Sequence, residues 1–89
     1  MTSPPRKRPG TLVEEVPGTG ECVLFEPVSG QVLALNPTGA AVWELLDGER
    51  TAADVARILH EATGVEVEAA RRDVEALLLA LAEAGFLAP

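Results

Sequence analysis

The pair Asn36-Pro37 restricts the fold of this 89-residue chain more than any other feature, because it turns an extended apolar segment into a helix at one fixed point. Asn36 can offer a side-chain oxygen to the free N–H groups of a helix start. Pro37 brings a preset φ to the first helical position, where a missing donor costs nothing. The run Leu35-Asn36-Pro37-Thr38-Gly39 therefore predicts a helix from Pro37 to Leu46. Val42, Leu45 and Leu46 fall on one of its faces, and Asp47-Gly48 offers the left-handed residue that ends a helix.

Around this corner the chain reads as one α+β domain over residues 11–89. Residues 1–10 hold three prolines, three basic residues and nothing to bury, which predicts a flexible basic, Pro-rich arm. Three extended segments follow: Leu12 to Val16, Glu21 to Glu26 with Val23 and Phe25 on one face, and Gln31 to Leu35. The turn clusters Pro17-Gly18-Thr19-Gly20 and Pro27-Val28-Ser29-Gly30 separate them. Adjacent hairpins give a three-stranded antiparallel sheet in the order one-two-three. The second helix opens at Thr51 with Asp54 at capping-box spacing, carries Val55, Ile58, Leu59 and Ala62 on one stripe, and stops at Gly64. The third runs from Val67 to about Ala84 over the stripe Val67, Ala70, Val74, Leu77, Leu78 and Leu81, with Gly85 ending it.

A chain this short buries a core only just large enough for stability, leaving little room for an enclosed active site. From Gly10 onward 4 basic residues face 14 acidic ones, a net charge of −10, which repels phosphate backbones and anionic lipid; neither nucleic acid nor membrane is an expected partner. Cys22 is the single cysteine, so no internal disulfide can form, and a reducing cytoplasm fits. No apolar segment follows the N-terminal charges as in a secretion signal, and no run approaches the ~18 apolar residues of a membrane span.

Groups that could do chemistry are scattered. His60 is the sole histidine and projects from the polar side of the second helix. Cys22 has no activating cation nearby in sequence. Gly18-Thr19-Gly20 lacks the third glycine and the strand-to-helix setting of a dinucleotide fingerprint. The carboxylates are spread over helix faces and turns. No catalytic residue, metal site or cofactor is expected.

Two features exceed the needs of a small core. The third strand is apolar on both sides, with Leu33 and Leu35 on one face and Val32 and Ala34 on the other. Val32 and Ala34 are either ordinary small exposed residues or a surface that something else covers at times. On the third helix Leu79 stands off the apolar stripe, and Arg71 and Arg72 are the only cations among Glu66, Glu68, Asp73, Glu75 and Glu83. They are solvated surface or anchors for a partner's carboxylate. The same element list would suit a winged helix-turn-helix DNA-binding regulator, but a recognition helix with two cations and five anions would be driven out of a DNA groove.

From about Val23 to Leu87 the chain resembles the PqqD-like family, also called RiPP recognition elements. The resemblance is carried by Leu35-Asn36-Pro37-Thr38-Gly39, Trp43-Glu44-Leu45-Leu46-Asp47-Gly48, the helix stop at Gly64 and Leu81-Ala82-Glu83-Ala84-Gly85-Phe86-Leu87. It implies a winged-helix-like fold and a non-enzymatic peptide chaperone. Such a protein binds the leader of a ribosomally made precursor as a strand added to the third strand, beside the third helix. It holds the precursor for a modifying enzyme: a radical SAM enzyme in pyrroloquinoline quinone biosynthesis, or a leader protease and cyclase in lasso-peptide maturation. The candidate peptide-binding residues are then Val32, Leu33, Ala34 and Leu35 on the strand, with Arg71, Arg72, Glu75, Leu78 and Leu79 on the helix.

Overall fold

The computed structural model describes residues 4–89. The elements run β1 (Leu12–Glu15), β2 (Cys22–Glu26), β3 (Gln31–Leu35), α1 (Pro37–Glu44), α2 (Ala52–Thr63) and α3 (Val67–Glu83), the α+β order expected from the sequence. The strands form one antiparallel sheet ordered β1-β2-β3, with Leu12 opposite Phe25 and Phe25 opposite Val32. Alternation divides its two faces. Cys22, Leu24 and Leu35 are buried beneath the sheet, whereas Phe25, Val32 and Ala34 lie on its outer, exposed face. Among the described residues no helix is long and apolar enough to cross a membrane.

The helix starts follow from the local chemistry. Asn36 Oδ1 accepts from the Gly39 N–H at 2.8 Å, with Pro37 in the first turn. Thr51 and Asp54 form a reciprocal capping box, and Gly64 closes α2 in the left-handed conformation with its N–H donating to the His60 carbonyl. One boundary differs from expectation. α1 ends at Glu44, because the N–H groups of Leu45 and Leu46 turn tighter and donate to the carbonyls of Val42 and Trp43. Gly48 is left-handed at φ +82°, yet it serves the loop after the helix, where its N–H donates to the Pro5 carbonyl.

The core joins Leu24 and Leu35 of the sheet to Trp43, Leu46, Val55, Leu59, Val74, Leu81 and Phe86. Ala62 and Val67, expected in the apolar stripes, are exposed, as are all residues from 61 to 68. The α2–α3 hairpin closes beyond the edge of the core, so periodicity continues where there is nothing to pack against. α3 packs along α2, and α1 lies against β3.

The arm also departs from expectation. Residues 1–3 of it lie outside the described residues. Arg6 to Arg8 run antiparallel to the C-terminal segment, with the Arg8 N–H donating to the Phe86 carbonyl at 2.9 Å and the Ala88 N–H to the Arg6 carbonyl at 2.8 Å. Lys7 Nζ sits 5.5 Å from the centre of the Trp43 ring and 3.9 Å from Glu44. Arg8 Nε lies 3.9 Å from the buried carboxylate of Glu26. The arm has little to bury, but the far end of the chain supplies backbone partners that composition does not show.

Candidate peptide-docking edge

An open three-stranded sheet has two edges, here β1 and β3. They are not equivalent. β1 carries Glu14 and Glu15, the kind of charge that guards an edge against further pairing, whereas Gln31-Val32-Leu33-Ala34-Leu35 has none.

The register fixes which backbone groups β3 leaves open. The Val16 N–H donates to the carbonyl of Glu21, the residue facing it where the β1–β2 register runs into its turn, at 2.9 Å. Hydrogen-bonded and non-bonded pairs alternate along an antiparallel ladder, so Glu14 with Val23 and Leu12 with Phe25 are bonded pairs. The backbone groups of Cys22, Leu24 and Glu26 consequently turn the other way, toward Leu35, Leu33 and Gln31. The N–H and C=O of Val32 and Ala34 therefore point out of the sheet, four groups in line along an exposed edge. Their side chains are exposed as well, Val32 at 59%. Leu33 is half-buried against the core and Leu35 is buried, so both hold the edge in place by packing and by their bonds to β2.

Leu78 and Leu79 line an open groove with Pro5, Arg6, Ala52 and Leu87, and no residue of β3 borders it. Leu78 is half-buried, whereas Leu79 is 61% exposed. Arg71 donates to Glu68 at 2.7 Å and to Glu75 at 3.0 Å, which holds the Glu68 carboxyl below its ordinary range and raises the guanidinium further. Arg72 has no hydrogen-bond or ion-pair partner among the described residues.

The thiol of Cys22 is buried, and burial, aided by Glu44 and Glu15, pushes its pKa up; it is suited to packing more than to attack. His60 is not merely solvated. Its Nδ1 lies 2.6 Å from the Val65 carbonyl, which can only accept, so that nitrogen carries the hydrogen and ties the loop after α2 to its helix.

Sequence reasoning singled out β3 but missed the breadth of its outer face. Phe25 is 38% exposed and Leu12 56%, and register sets them in one cross-strand row with Val32. The signal available was β2, whose run Cys22-Val23-Leu24-Phe25 is apolar on both faces, as β3 is.

Residues 21–87 match the family model described as Coenzyme PQQ synthesis protein D (PqqD). Among solved structures, the chain is similar to a lasso peptide synthetase B1 complexed with the leader peptide, at 33% identity and TM-score 0.81 over 98% of this chain and 100% of that one. It shares its fold with TbiB1 in complex with the TbiA(beta) leader peptide, at 21% identity and TM-score 0.79 over 92% and 93% of the two chains. It also shares it with the PqqD truncation of Methylobacterium extorquens PqqCD, a stand-alone RiPP recognition element, at 24% identity and TM-score 0.74 over 96% and 88%. No curated protein matches the sequence.

Proposed function

The chain belongs to the PqqD family, and from that premise we propose that it binds the leader of a ribosomally made precursor peptide as a fourth strand on β3 and presents it to a modifying enzyme, without chemistry of its own. The observation that carries this reading is the edge itself: uncharged, exposed, and with the N–H and C=O groups of Val32 and Ala34 aimed outward. Strand addition uses such groups for affinity and the flanking side chains for selectivity. Four backbone bonds at about 1 kcal/mol each give about half of the ~8 kcal/mol of a micromolar complex. Apolar contacts supply the remainder.

Leu33 and Leu35 set the position of the edge. Arg71, Arg72, Glu75, Leu78 and Leu79 of α3 contact the part of the leader that runs past the strand, or the modifying enzyme. The 33% identity with a lasso peptide synthetase B1 favours a leader protease and cyclase as that enzyme over a radical SAM enzyme. A cytoplasmic setting suits binding to a freshly made precursor.

The test is an amide-resolved NMR titration with the leader of a lasso precursor encoded beside this chain. The N–H groups of Val32 and Ala34 exchange water for a peptide carbonyl, so their proton shifts move most, while those of Leu33 and Leu35 keep their partners in β2 and move less. Shifts confined to β1, or to α3 with β3 silent, would refute docking on this edge.

A further inference from the structure

We propose that the outer face of the sheet, and not only the edge of β3, selects the docked peptide: a leader for this protein carries apolar side chains two residues apart, packed on the row Leu12–Phe25–Val32 and beside Ala34. This rests on the strand-docking reading and adds a specificity to it.

Register puts Leu12 opposite Phe25 and Phe25 opposite Val32, so the three side chains form one line across the sheet on the same face. They are 56%, 38% and 59% exposed, an apolar row with no cover of its own. The line ends at the open edge. A strand docked on β3 extends it by one position, because the residue opposite Val32 shares the face of Val32 whether the peptide runs parallel or antiparallel. An apolar side chain there covers Val32 and reaches toward Phe25. Two residues along, the peptide meets the next row, Ala34 beside Val23. Ala34 is small and exposed, which leaves room for a larger side chain to lean over it onto half-buried Val23. The peptide residue between these two points to the helical side and is not selected by this face. The occupant is thus a β-forming segment with a bulky apolar residue at each of two alternate positions.

Selection of a random twelve-residue peptide display library on the immobilised full chain tests this whatever the sequence of the natural leader. The wild-type protein should enrich sequences with apolar residues at i and i+2, and Val32→Pro should lose them. The double variant Leu12→Thr, Phe25→Thr, with both positions outside the core and both replacements good strand formers, should still enrich β-forming peptides but drop the apolar preference at one of the two positions. Its affinity for the best wild-type peptide should fall about fivefold. Should circular dichroism show the double variant unfolded, Leu12→Thr alone carries the test. If the variant retains the wild-type preference, or if wild-type binders show no apolar alternation, the selective role of this face is wrong while edge docking stands. If Val32→Pro enriches the same peptides as wild type, edge docking fails and the selectivity falls with it.

Discussion

Glu26 is 1% exposed in a domain with very little interior, and its carboxylate is held there by one short loop. Oε2 accepts the Ser29 N–H at 2.6 Å, and Arg8 approaches the other oxygen to 3.9 Å. The Ser29 hydrogen bond chiefly pulls its pKa below the ordinary value of 4.5, against the opposing effect of burial and with help from Arg8. A carboxyl more acidic in the folded state than in the unfolded one stabilises the fold above the unfolded value, and that contribution disappears as pH falls through the folded value. Glu26→Gln should therefore be less stable than wild type at pH 7 in urea denaturation, and the difference should shrink progressively below pH 4.5. A difference independent of pH would mean that the side chain contributes by shape and not by charge. Nothing in the sequence singles out Glu26, since a glutamate at a strand end ordinarily faces water and its partners sit three residues ahead and at the far N-terminus.

At the scale of the element, β3 separates folding from binding by the parity of its residues. Proline at Leu33 or Leu35 removes an N–H that bonds β2, whereas at Val32 or Ala34 it removes one that faces the open edge. Val32→Pro and Ala34→Pro should keep a folded spectrum by circular dichroism and lose leader binding in calorimetry, while Leu33→Pro and Leu35→Pro should unfold. If Leu33→Pro folds and binds, the ladder has the opposite parity. The alternation of strand side chains is legible in the sequence, but this parity is not. It depends on how the β1–β2 turn sets Val16 against Glu21, a choice that passes through β2 to β3. Helix boundaries set by near neighbours, such as Asn36 with Pro37, Thr51 with Asp54, and Gly64, are legible for the opposite reason. Leu78 and Leu79, inferred from helix geometry as peptide contacts, line a groove shared with the arm and with α2. Both of those contributors are non-local.

The molecule as a whole is closed by the pairing of its two ends, in which Arg8 bonds a residue 77 positions away. Joining points so distant in an open chain costs roughly 4 kcal/mol in loop entropy beyond the constant term. Once the sheet and helices have packed, the same points already lie side by side and that cost has been met by other contacts. The pairing is thus expected to form after the folding barrier and to be among the first contacts broken on the way out. Interactions absent from the transition state slow escape from the native state without hastening arrival. Removing residues 1–8 deletes the three backbone bonds that Pro5, Arg6 and Arg8 make to Gly48, Ala88 and Phe86. In stopped-flow chevrons it should raise the unfolding rate by on the order of 100-fold, at about 1 kcal/mol for each bond, and leave the folding limb in place. A slower folding limb would instead place the arm in the nucleus. The junction of arm and tail then acts on time more than on equilibrium, as a latch that sets how long a folded molecule persists.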